Sequence, residues 1–101
     1  MDKIYKSMAD KNRRTILRML KEGDRNVNQI LQNLEIGQAT LSSHLAVLRK
    51  AGLVSCRVLG KQRIYKLEIS TLDVLLKDIE YFLGAEHEIV FSEIILRRKM
   101  T

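Results

Sequence analysis

Between Ile36 and Leu67 the chain carries no carboxylate, and inside that span Gln38, Thr40, Ser42 and Ser43 place an amide and three hydroxyls within six residues. Such groups neither cleave a bond nor move a proton unaided. They donate and accept hydrogen bonds, and a small acid-free face suits phosphate oxygens and base edges. Lys50, Arg57, Lys61 and Arg63 lie in the same span and add positive charge.

Residues suited to covalent or metal chemistry are few. Cys56 is the single cysteine, so it makes neither an internal disulfide nor a paired-cysteine metal knuckle. It shares a strand face with Val54 and Val58, which predicts a small buried hydrophobe. His44 projects near the leucine side of its helix, as a packed or hydrogen-bonded ring would. His87 stands among Glu86, Glu88 and Glu93, which predicts a surface histidine, a cation bridge across a dimer being the other reading. Zinc wants four N/S-rich ligands, and these residues do not supply them within one chain. No metal and no cofactor is expected. There is no glycine-rich phosphate loop, no nucleophile with a base and no carboxylate pair beside a histidine, so nothing supports an enzyme.

Charge is unevenly distributed. Residues 1–69 hold 14 Lys/Arg against 6 Asp/Glu, whereas residues 70–93 hold one Lys against six acids. A basic portion joined to an acidic one is compatible with a polyanionic partner or with a merely solvated surface, and charge alone does not separate the two.

The elements that must position these residues follow from periodicity. With 101 residues, 46% of them hydrophobic and no proline, one compact domain with a modest core is expected. No apolar run approaches the roughly 20 residues that cross a bilayer. "MDKIYKSMADKNRR" lacks the apolar stretch of a secretion signal, which implies the cytoplasm. Met1–Met8 forms a short helix candidate. Asp10 can cap the next helix, "KNRRTILRMLKEG", which turns Ile16, Leu17 and Leu20 inward and closes at Gly23, where a left-handed residue is wanted. Its Arg13, Arg14 and Arg18 read as a solvated face, with phosphate contact open to Arg13 and Arg14. Asn26 caps a third helix with Val27, Ile30, Leu31 and Leu34 at helical spacing. In the fourth, Leu41, Leu45 and Leu48 cluster on one side, and Ala39, Ser42, Ser43, Ala46 and Lys50 fill the opposite arc, with Thr40 at its margin. Two short helices joined by a turn, the second with a smooth polar face, make a helix-turn-helix. "LVSCRVLGKQRIYKLEI" then reads as a hairpin with Gly60 at its tip and Lys61 and Arg63 beside it. The fold expected is mainly α with a small β-hairpin: a winged helix-turn-helix of about five helices plus a two-stranded wing.

"MADKNRRTILRMLKEG", "IGQATLSSHLAVLRKAGLV" and "GKQRIYKL" resemble, in order and spacing, the ArsR/SmtB family of winged-helix repressors. The likeness covers about residues 1–83. It implies a homodimer paired through first and last helices that occludes a promoter until an effector releases it. It also implies that Gln38, Thr40, Ser42 and Ser43 face the major groove while Lys61 and Arg63 occupy the wing. Gly37 stands where the family's N-cap Ser is usual, Ser43 where Arg is common and Lys11 where proline is common. The run "NVNQILQNL" lacks the family's thiolate box, and Asp73, Leu75, Glu86 and Ile89 do not reproduce its second metal pattern. The resemblance is therefore to the metal-independent, SdpR-like members.

The last third supplies a partner surface. From Ser70 or Thr71 a helix runs with Leu72, Leu75, Leu76, Ile79 and Leu83 on one stripe. Together with Ile4 and Met8 this leaves apolar surface that a two-fold dimer would cover. Ile4, Met8, Leu72, Leu75, Ile79 and Phe82 are the expected dimer contacts. Residues 84–101 form an extension, ambiguous between helix and strand, expected to contact the dimer partner or another protein. The reading is a dimeric DNA-binding regulator, a repressor on double-stranded, pseudo-palindromic operator DNA with no membrane partner. The competing reading is a winged-helix protein-interaction module that does not bind DNA; the aromatic content of 5% disfavours it, since protein interfaces are rich in aromatics.

Overall fold

The computed structural model describes residues 1–84 with their side chains and the backbone beyond them to Met100. Helix α1 spans Asp2–Met8, α2 Lys11–Glu22, α3 Val27–Leu31, α4 Gln38–Lys50 and α5 Ile69–Met100; strands β1, β2 and β3 span Arg25–Asn26, Val54–Leu59 and Gln62–Leu67. Gly84 interrupts α5 with φ 70° and ψ −168°. The backbone beyond Gly84 is helical to Met100, the form that Phe91, Ile94 and Ile95 slightly favour, and the contacts expected of that extension lie outside the described residues.

Local chemistry fixes these elements. Asp10 accepts a hydrogen bond from the Arg13 backbone N–H at 3.0 Å and so caps α2. At the other end Gly23 adopts φ 155°, ψ 162° rather than the expected left-handed turn, because the chain passes straight into an extended strand. Asn26 and Gln29 exchange side-chain and backbone hydrogen bonds in a capping box that starts α3. That helix ends at Leu31, so Leu34 packs on the core from the following turn rather than from the helix.

The end of α4 sets up everything after it. The Gly52 N–H donates to the Arg49 carbonyl and the Leu53 N–H to the Leu48 carbonyl, each at 3.0 Å. This pair of bonds is a Schellman closure, which needs a left-handed residue; Gly52 supplies it at φ 77°. A Cβ there would lie 3.3 Å from Thr71 Oγ1. Thr71 instead donates to the Gly52 carbonyl at 2.6 Å, tying the first turn of α5 to the turn after α4.

The sheet has the order β1-β3-β2, all antiparallel. Sequence spacing predicts the β2–β3 hairpin. The third strand, with Arg25 opposite Tyr65 and Asn26 opposite Ile64, is too short to show alternation and doubles as the cap of α3. The core joins Ile16, Leu17 and Leu20 of α2 to Ile30, Leu41, Leu45, Leu48, Leu53, Val54 and Tyr65. Each buried aliphatic side chain contributes about 1.5–3 kcal/mol relative to exposure.

One expected interface residue belongs to this core. Ile4 is only 8% exposed within its own chain, because α1 packs against both α2 and α4. Met8, Leu72 and Leu75 are half-buried against the same core, whereas Val74, Leu76, Ile79, Tyr81, Phe82 and Leu83 are exposed. Ile4 therefore drops out of the expected pairing surface, and the largest run of exposed apolar residues lies on α5. Among the described residues no helix is long and apolar enough to cross a membrane.

Candidate nucleic-acid interface

Helix α4 buries Leu41, Leu45 and Leu48 and turns its opposite arc to solvent. Gln38, Thr40, Ser42, Ser43 and Lys50 are all exposed there. The Ser43 hydroxyl donates back to the Ala39 carbonyl at 3.2 Å, which leaves its oxygen lone pairs outward. Gly37 offers no side-chain cap, so first-turn N–H groups of the helix stay open to an acceptor.

A cleft of about 460 Å³ separates this helix from the hairpin, and Asn26, Asn28, Gln38, Ser42, Lys61 and Arg63 line it together with Gln62 and Tyr65. Four of the expected contacts thus face one space. Lys50 does not join them; it lies at the far end of α4, beside Lys3 and Lys6. Thr40 and Ser43 lie outside the cleft's walls on the exposed arc. Arg57 carries an ion pair of its own. Its guanidinium is 2.8 Å from the Asp24 carboxylate, so a phosphate contact would first require exchange of that partner.

Asn26, Asn28 and Gln62 were not evident as cleft residues from spacing. The Asn26 side-chain amide donates to Gln62 Oε1 at 3.3 Å, joining the start of α3 to the wing. Asn26 has a sufficient local explanation as a cap, which hides its second role.

The floor of the cleft is firm. Tyr65 is buried at the centre of the sheet, opposite Cys56; burial first, and then the neighbouring thiol, pushes its phenol above the ordinary value. Cys56 packs on the core but is only half-buried, short of the burial expected, and Val58 on the same strand face is 69% exposed. The hairpin has left the core by that point.

Behind α4 two of the three arginines expected to be solvated hold the scaffold, whereas Arg18 is exposed as expected. Arg13 donates to the Ser7 carbonyl at 2.8 Å and the Lys6 carbonyl at 3.1 Å, and Arg14 donates to the Met8 carbonyl at 2.8 Å. They bring side-chain donors to the carbonyls that end α1, where the Lys6 carbonyl also accepts from the Ala9 N–H. Asp10 lies below its ordinary carboxylate value, chiefly through the Arg13 backbone N–H, with the Arg13 charge adding to it. Among the described residues no three His, Cys, Asp or Glu side chains gather at metal-binding distance.

A helix with a small hydroxylated face, a basic hairpin beside it and a polar cleft between them form a winged helix-turn-helix. The sequence pattern described as "Bacterial regulatory protein, arsR family" matches residues 10–55. The transcriptional regulator Rv2034 of Mycobacterium tuberculosis is 33% identical over 81 residues, covering 80% of this chain and 76% of that protein. The chain belongs to the ArsR family. The transcriptional repressor SdpR of Bacillus subtilis is 32% identical over 72 residues, covering 71% of this chain and 80% of the repressor. A solved structure described as a possible transcriptional regulator for arsenical resistance superposes with a TM-score of 0.74 at 28% identity, covering 92% and 96% of the two chains. As a member of this family the chain is a DNA-binding transcription regulator, in a family of regulators rather than enzymes.

Proposed function

We propose that this ArsR-family regulator is a cytoplasmic homodimeric repressor that occludes a promoter by binding a pseudo-palindromic operator. Gln38, Thr40, Ser42 and Ser43 meet base edges in the major groove. Lys61 and Arg63 meet the backbone beside it, and Lys50 meets phosphate at the other end of the helix. The observation that carries this reading is the cleft in which Gln38 and Ser42 face Lys61 and Arg63, inside a span from Ile36 to Leu67 without a single acid. The similarity to a protein named as a repressor supports the direction of control. The exposed apolar length of α5 supports pairing of two copies, and a two-fold pair presents two recognition helices to successive major grooves. DNA binding needs no metal ion in this reading, because Leu75 and Ile89 break the family's ligand pattern and the thiolate box has no cysteine.

Selection of bound duplexes from a random pool tests it. The expected product is an inverted repeat whose half-sites are about 10 base pairs apart centre to centre, one helical turn. Recovery of no sequence preference, with duplexes bound no better than single strands, would turn attention to the protein-interaction reading. Repeating the selection with candidate small molecules would find the effector that releases the DNA.

A further inference from the structure

Val58 and Leu59, adjacent at the end of β2, are 69% and 65% exposed. Neither belongs to the core cluster, and the proposed dimer surface lies on α5. A wing made soluble in the ordinary way would carry polar side chains at its tip. The register sharpens the point. Val58 lies opposite Arg63 and Leu59 opposite Gln62, and cross-strand partners share a face while neighbours alternate. One branched aliphatic side chain therefore stands on each face of the hairpin end. Between the strands Gly60 turns at φ 62°, with nothing within 4 Å of the position a Cβ would take. Lys61 and Arg63 follow directly.

An apolar tip flanked by cations calls for a surface that is anionic at its rims and apolar between them. The minor groove of duplex DNA has that arrangement, with phosphates along both edges and deoxyribose rings as walls. We propose that Val58 and Leu59 act as an apolar wedge in the minor groove beside the α4 contact, one side chain against each wall, while Lys61 and Arg63 hold the phosphate rims. This rests on the DNA-binding reading and adds a way of reading sequence without base hydrogen bonds. The undistorted minor groove is about 6 Å wide, too narrow for a hairpin end with a branched side chain on both faces. Entry widens the groove and bends the duplex away from it. Pyrimidine–purine steps such as TA and CA deform most easily, so they are preferred under the wing.

The test compares the full chain with its V58S/L59S double variant on duplexes from the random-pool selection, carrying either TA or GG at the position under the wing. Both replaced residues are exposed, so an unchanged melting temperature confirms an intact fold. The expected result is at least about tenfold weaker binding to the TA duplex, as the loss of two partly buried aliphatic side chains implies. The TA-over-GG preference disappears, the bend measured by gel phasing shrinks, and the salt slope stays the same. Unchanged affinity and bend overturn the wedge while leaving DNA binding standing. So does a loss equal on both duplexes with a smaller salt slope, which makes the tip a charge contact. A change in sedimentation of the free double variant also overturns it, since the tip would then be a protein contact. Failure of the unsubstituted chain to bind any duplex overturns the DNA-binding reading itself, and the wedge with it.

Discussion

Arg13 Nη1 lies 3.2 Å from His44 Nδ1, joining helix α2 to the middle of the recognition helix. A guanidinium has only donors, so Nδ1 accepts and the proton of the neutral ring sits on Nε2, 3.9 Å from Asp10 Oδ1. The same guanidinium holds the Ser7 and Lys6 carbonyls. One side chain therefore fixes α1, α2 and α4 relative to one another. Arg13→Ala is expected to lower unfolding free energy by about 1–3 kcal/mol, the range for partly buried groups left without a partner. Lys at this position should recover only part of it, because an ammonium lacks the planar fork. Urea unfolding of the two variants measures this, and nitrogen chemical shifts of the neutral His44 ring read the tautomer. An Nδ1–H tautomer contradicts the joint.

Asp10 gives a prediction with a sign. Its carboxyl titrates below the ordinary range in the folded chain, so its stabilisation is present in full above the unfolded value and is lost as pH falls through the folded one. Asp10→Ala should cost about 1 kcal/mol near neutrality, as lost N-caps do. The gap between the two proteins should close as pH drops below about 4, the ordinary carboxylate value. A gap that widens on acidification would contradict the assignment.

The α5 surface predicts association. Phe82 is 76% exposed, and its ring meets that of Tyr81 edge-on at 5.6 Å. In sedimentation at micromolar concentration the chain is expected as a dimer, and Ile79→Asp and Phe82→Asp are expected as monomers. Since neither side chain completes the monomer core, both variants should keep their helical circular dichroism. An 11.7 kDa species for the unsubstituted chain removes the dimer from the proposal.

Metal independence is equally open to measurement. EDTA and added zinc should leave operator affinity unchanged. A reproducible tenfold shift, about 1.4 kcal/mol of coupling, would reveal an effector site.

Much of this architecture was legible before any coordinates. The caps Asp10 and Asn26, the inward leucines of α4 and the β2–β3 hairpin each follow from local rules of spacing and hydrogen bonding. What escaped were relations between elements. Arg13 looks like a solvated charge in one dimension, because the carbonyls it serves belong to another helix. Ile4 looks surplus until α1 is seen to lie over α2 and α4. Strand β1 has too few residues for a pattern. For the cleft, Gln38, Ser42, Lys61 and Arg63 were legible from their types, whereas the ion pair of Arg57 was not, because Asp24 is 33 residues away.

The division of labour between helix and wing yields the last prediction. Gln38 opens α4 and, with Ser42, faces the cleft, so Gln38→Ala should relax discrimination at particular base pairs by about 1–3 kcal/mol for each lost base contact. Arg63 lies on the wing beside the tip, where the proposed contact is to phosphate. Its replacement by Ala should weaken cognate and scrambled duplexes alike and lower the salt slope by about one unit per contact in each half-site. Titrations of both variants on both duplexes at several salt concentrations separate these roles. On this reading the charged contacts of the wing contribute affinity that salt removes, and the helix contributes base preference that salt leaves in place. Should the two variants show the same uniform loss, Gln38 would be one more backbone contact, and base readout would have to come from Thr40, Ser42 and Ser43.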